Sequence, residues 1–211
     1  MTKKKPQSVD TLEDFGRIQL SDTFFMRDFL YSEISQIELI SNIPDNLALA
    51  EQVGSLLCKT ILEPIQRKFG RINIRSAYRS PDVNAKGAEN KNQYRCGSNE
   101  ANFAGHIWDR KDSDGLMGAT ACIVVPAFLP YYNRTDHWQA IAWWIHDHIP
   151  EYSDIEFFPK LAAFNISWHE KPKKEIYSYI SPKGWLTKPG MPGHDHSHAK
   201  EYAEFLGEIE K

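Results

Sequence analysis

Three short stretches of this 211-residue chain hold residues that can do chemistry. In "RSAYRSPDVN" (75–84), Arg79 stands where an alternating segment runs into a loop. In "NFAGHIWD" (102–109), His106 and Asp109 lie three positions apart, and in "SWHE" (167–170) Trp168 precedes His169. Imidazole and carboxylate are the N and O ligands of a catalytic zinc, which takes three protein ligands and leaves a fourth position for water. A carboxylate beside that water would act as general base. The fork of an arginine binds both oxygens of a substrate carboxylate at once. Taken singly, each residue also has a plain structural role. A His after Trp on an apolar strand packs in a core, an Asp beside Arg110 closes a turn, and an Arg pairs locally.

The elements that must position these residues are legible as patterns. Ser21, with acids in the turn that follows, predicts a helix over "DTFFMRDFLYS". "LALAEQVGSLLCKTILEPIQRKFG" carries apolar residues at helical spacing up to Gly70, with Pro64 expected to kink or divide it. "RINIRSAYRS" alternates as a half-buried strand. The polar stretch 84–102 reads mainly as loop, and "FAGHIWD" (103–109) and "GATACIVVPAF" (118–128) as strands joined by the turn "RKDSDG". A helix from Asp136 stops at Pro150, and "IEFFP" and "LAAFNISWHE" are two further strands. The chain ends in the short helix "HAKEYAEFLGEIEK". Two helices followed by strands that one helix interrupts define an α+β class, an antiparallel sheet with flanking helices.

Bulk properties narrow the partners. The net charge is −3 and the one basic block, "KKKP" at 3–6, reads as a solvated terminus, so no field for nucleic acid exists. No apolar run follows those lysines and no window is long enough to span a membrane, which predicts a chain without a signal peptide. Three widely spaced cysteines, Cys58, Cys96 and Cys122, do not form a disulfide framework. A cytoplasmic protein is the expectation.

In order and spacing, the motifs resemble the zinc D-alanyl-D-alanine carboxypeptidase family. It includes L-alanyl-D-glutamate endopeptidases and shares its fold with the Hedgehog signalling domain. "ILEPIQRKFGRINIRSAYRSPDVN" (61–84) is similar to the family's helix and the strand after it, "NFAGHIWD" keeps a Gly and an Asp of its metal strand, and "SWH" supplies the late His. The resemblance covers roughly residues 20–172. It implies a Hedgehog-type peptidase fold over 20–172, between a flexible N-terminus (1–19) and a C-terminal extension (173–211). It also implies a divalent metal, zinc in the family, on Asp109 and His169, with Arg79 binding the substrate carboxylate and Asn102 and Trp168 lining the substrate site. Two positions depart from the pattern. Asn102 stands where the family has its first His, so that His106, re-aimed by a bulge at Gly105, would have to be the third ligand. Ile166 or Ala163 stands where the catalytic acid belongs.

Two further stretches hold histidines. "AWWIHDH" (142–148) reads as a packing helix, and "GHDHSH" (193–198) as a solvated tail or as a flap that folds back to supply a ligand. Two functions follow from the whole. The first is a metal-dependent hydrolase acting on a short peptide or amide with a free carboxylate. The alternative is a catalytically inactive, peptidase-like module that binds a peptide, a small carboxylate-bearing molecule or a protein.

Overall fold

A computed structural model describes residues 4–89 and 93–209, so Lys3 of the basic block and residues 90–92 of the expected loop lie outside the description. The helices are α1 (Val9–Gly16), α2 (Glu33–Glu38), α3 (Leu47–Leu57), α4 (Glu63–Phe69), α5 (Pro81–Glu89), α6 (Asn99–Asn102), α7 (Leu129–Thr135), α8 (Gln139–His148) and α9 (Ala199–Ile209). The strands are β1 (Asn73–Ser76), β2 (Gly118–Val124), β3 (Tyr152–Phe157), β4 (Phe164–His169), β5 (Glu175–Ser178) and β6 (Gly184–Thr187). They form one sheet in the order β1-β2-β4-β3-β5-β6, antiparallel throughout except for the parallel pair β3/β5. The class is therefore α+β. No helix among the described residues is long and apolar enough to cross a membrane.

Parity along the strands divides the sheet into two unlike faces. Ala121, Ile166, Ile155 and Ile176 lie side by side across four strands and are all but inaccessible. They meet the apolar sides of α3, α8 and α9 in a single core. One residue along, the other face carries Cys122, Asn165, Glu156, Tyr177 and Trp185 in a row.

The long apolar helix forms as its spacing predicts, and Pro64 does divide it. Between α3 and α4 lies a π turn, Cys58–Leu62, where Glu63 N–H reaches back to Cys58 O. The wider turn absorbs the amide that Pro64 lacks, so the helix continues without breaking. Gly70 closes it with φ 76°, a conformation costly for any side chain.

Five local expectations are corrected. The helix predicted after Ser21 is only a 3₁₀ turn, Met26–Phe29, because Ser21 Oγ and Thr23 N–H donate to Glu63 Oε1 (2.8 Å each) instead of starting a helix. Within the stretch expected as loop, residues 84–89 and 99–102 are helical, since Ser80 and Pro81 begin α5 and Ser98 caps α6. "FAGHIWD" is a set of turns rather than a strand: Ala104 has φ 53°, and the amides of Gly105 and Ile107 both donate to Asn102 O (3.0 Å each). Beyond residue 172 the chain does not leave the domain, because β5 and β6 complete the sheet. The N-terminal stretch read as flexible carries α1, capped by Ser8, with Phe15 in the core.

The "GHDHSH" segment is held against the domain by His194 and His198, while Asp195, His196 and Ser197 stay exposed. His198 stacks on Trp143 (3.6 Å between centroids), and its N–H and Nδ1 donate to the two Asp147 oxygens at 2.7 and 2.8 Å. His146 Nε2 donates to His194 O (2.7 Å), and His194 Nδ1 pairs with Thr187 Oγ1 (2.8 Å). These partners belong to α8 and β6, not to the surroundings of Arg79.

Glu63 ties the start of the chain to the π turn through three bonds to one oxygen, from Ser21 Oγ, Thr23 N–H and Thr23 Oγ1. Burial raises its pKa, but the donors from Thr23 and Ser21 outweigh burial and hold it below the ordinary value. A lowered carboxyl pKa contributes stability that is complete above the unfolded value and is lost as pH falls through the folded one. Glu63→Gln should therefore cost about 1–3 kcal/mol in urea denaturation at pH 7. It should also flatten the loss of stability below about pH 4.3, the ordinary glutamate value.

Candidate ligand site on the polar face of the sheet

Arg79 leaves the end of β1 and is held by the loop that crosses the sheet. Its backbone N–H donates to His106 O (2.9 Å), and its Nη2 donates to Asn102 Oδ1 (3.1 Å). Asn102 is fixed in turn, Nδ2 donating to Ser98 O at 2.9 Å. Part of the Arg79 side chain reaches the surface, but Nε is sealed from water and has no hydrogen-bond partner. Among the described residues, no carboxylate lies within ion-pair distance of the guanidinium. Burial accordingly pulls its pKa down, and the groups that counter this are the Cys96 and Cys122 thiols. A buried cation without a counter-charge is costly, and the cost falls once an anion fills the place.

His106 is buried beside it. Its Nδ1–H donates to Ala77 O (2.7 Å), which fixes the tautomer and leaves Nε2 as an acceptor near the Asn165 side chain. Burial, with the Arg79 charge added, lowers its pKa to about 3, so the ring is neutral at physiological pH. Asn165 in turn donates to Glu156 Oε2 (3.3 Å), and burial raises the pKa of that carboxyl. Next along β4, Ser167 Oγ donates to Asp154 Oδ1 (3.1 Å) and pairs with Thr120 Oγ1 (2.8 Å). The loop lies close on this face: a Cβ on Gly118 would come within 2.1 Å of Ala104 O and 2.8 Å of His169 Cδ2.

Asp109 is engaged elsewhere. Its buried carboxylate accepts from Asp45 N–H (2.7 Å), Asn46 N–H (3.3 Å) and Arg110 Nη1 (3.1 Å) on Oδ2, and from Tyr78 OH (3.3 Å) on Oδ1. Asn46 caps α3, so Asp109 sits at that helix N-terminus, where backbone N–H groups and the helix dipole favour an anion. His169 lies at the end of β4, with Nε2 bonded to Asp112 Oδ2 (3.0 Å) and Nδ1 accepting from Lys171 N–H (3.1 Å). Trp168 points to the opposite face and packs against the core.

Arg79, Asn102 and His106 thus come together, whereas Asp109 and His169 have separate partners. Among the described residues no three His, Cys, Asp or Glu side chains are gathered in a group that could hold a metal ion. The donor set does not fit the expected zinc, because both Asp109 oxygens and His106 Nδ1 already serve the fold. Gly105 does turn the chain, but it aims His106 at Ala77 and Asp109 at α3, away from each other. Sequence reading missed Asn165, Glu156 and Asp112. The polar alternation Asn165–Ser167–His169 against Phe164–Ile166–Trp168 was the available sign of a functional face on β4. Compared with protein-family models, curated proteins and solved structures, the chain matches none.

Because Asp109 holds backbone and phenol rather than metal, Asp109→Ala should lower stability by about 2–4 kcal/mol, leaving those donors buried and unpaired. Excess chelator should leave the urea midpoint of the wild type unchanged. A midpoint that falls with chelator would show that a metal supports this carboxylate.

Proposed function

We propose that this chain is a binding module on a Hedgehog/peptidase-like scaffold, capturing a short peptide or small molecule by its free carboxylate at Arg79 without cleaving it. The observation that carries the reading is the Arg79 guanidinium, shielded at Nε, bonded to one neutral amide oxygen and facing no carboxylate. A ligand carboxylate would supply the missing charge and accept from more than one N–H of the fork. Neutral His106 and the Asn102 amide would flank it without adding charge, which suits a single monoanion. Hydrolysis would need an activated water, and no carboxylate base or metal triad stands beside Arg79 among the described residues, so no catalytic step is assigned.

The test is calorimetric titration of a dipeptide library in matched free-acid and C-terminally amidated forms. Free-acid peptides should bind saturably and the amidated ones should not. Arg79→Met should weaken binding about ten- to a hundredfold, as loss of charged hydrogen bonds does. Arg79→Lys should recover little of it, because an ammonium cannot form the fork. Equal binding of both forms, or release of amino acids during incubation with zinc, manganese or iron, would overturn the reading.

A further inference from the structure

At the far end of the same polar face lies a run of aromatic rings outside the Arg79 site, the first of which, Phe158, also packs on the small buried cluster of Cys122, Val124 and Ala163. Phe158 stacks on Tyr179 (5.6 Å between centroids, 7° between planes). Tyr179 meets Tyr177 at 5.0 Å, and Tyr177 meets Trp185 at 5.2 Å, both edge to face. Tyr179 and Trp185 remain 43% and 45% exposed. Tyr177 and Trp185 lie on β5 and β6, Tyr179 and Phe158 just beyond the ends of β5 and β3, and the four half-buried to exposed rings form a contiguous apolar strip of the kind that marks a binding surface. Register places it directly beside carboxylates: Tyr177 is opposite Glu156, and Asp154 is opposite Glu175, on neighbouring strands and on this face.

From this juxtaposition we infer that the β3/β5/β6 end of the polar face is a binding strip for a neutral saccharide. Flat aromatic faces receive the apolar C–H face of a pyranose, and carboxylates beside them accept from its hydroxyls. Charge complementarity excludes acidic sugars, since Asp154, Glu156 and Glu175 would repel them. The nearby cations are Lys173, whose Nζ is 3.9 Å from Glu175, and Lys188, whose Nζ lies 5.0 Å over the Trp185 ring. Proline-rich peptides also dock on aromatic strips. Proline, however, has no N–H to give to the three carboxylates, whereas sugar hydroxyls do. The inference does not rest on the Arg79 reading.

The experiment is calorimetric titration of the full chain with a panel of neutral tetrasaccharides (cello-, chito-, xylo-, manno- and malto-oligomers) and with a proline-rich peptide. At least one saccharide should bind saturably. Trp185→Ala should weaken it about tenfold or more, the usual scale for removing an aromatic anchor. Trp185→Phe should weaken it less, and Arg79→Met should leave it unchanged. Because Trp185 is half exposed, circular dichroism should show both Trp185 variants folded. The inference fails if no saccharide binds at millimolar concentration, if Trp185→Ala has no effect, or if the proline-rich peptide binds in their place.

Discussion

The arrangement depends first on the Asp109 carboxylate. Four donors converge on it from three parts of the chain: Asp45 and Asn46 at the start of α3, Tyr78 at the end of β1, and neighbouring Arg110. It fixes the turn that carries Tyr78 and Arg79 relative to the long helix, and so decides where the Arg79 guanidinium lies. Arg110 Nη2 extends the staple by pairing with Asp45 Oδ2 at 2.7 Å, and Lys5 bonds the other Asp45 oxygen at 2.7 Å. These outer pairs are half exposed and contribute little individually. The inner bonds, shielded from water, are what would be missed.

A second constraint is the parity of the sheet. Its apolar side is fully used by α3, α8 and α9, and its polar side is only partly covered, by the loop that includes Asn102 and His106. Where that loop covers it, buried His106 and half-buried Arg79 and Asn165 make a small polar site. Beyond the loop's reach, Tyr179 and Trp185 stand exposed beside half-buried Tyr177, on or next to strands that belong to the chain's last quarter. One row of residues, Cys122–Asn165–Glu156–Tyr177–Trp185, connects the two ends. A slip of one residue in β3 or β5 would bury Glu156 and Tyr177 and expose Ile155 and Ile176, so the polar face is as strongly specified as the core.

Much of the fold is legible in the sequence, and its failures are instructive. The long helix, β1 to β4 and the final helix follow from apolar periodicity, although β1 is only half-buried and β2 is buried on both faces. Arg79 is legible from its position at a strand end. The role of Asp109 is not, because its partners are backbone amides more than sixty residues upstream, which leave no side-chain signature. "FAGHIWD" reads as a strand since its apolar residues alternate, yet the backbone turns there to give His106 O to Arg79 and Gly105 O to Thr120. The sequence around Ser21 misleads for a related reason: its capping oxygen bonds Glu63, forty-two residues away. The short strands β5 and β6 are hidden in a Pro- and Gly-rich segment whose alternation spans only four residues each.

The central claim is that Arg79 waits, shielded and unpaired, for a ligand carboxylate. The most direct measurement is a ¹⁵N-edited NMR titration that follows the Arg79 Nε–H resonance, assigned by its loss in Arg79→Lys, while a free-acid dipeptide is added. The account predicts a resonance that is shielded from water yet without hydrogen-bond character in the free protein, and that moves downfield as the peptide saturates. A resonance already shifted downfield in the free protein, and unmoved by the peptide, would contradict it.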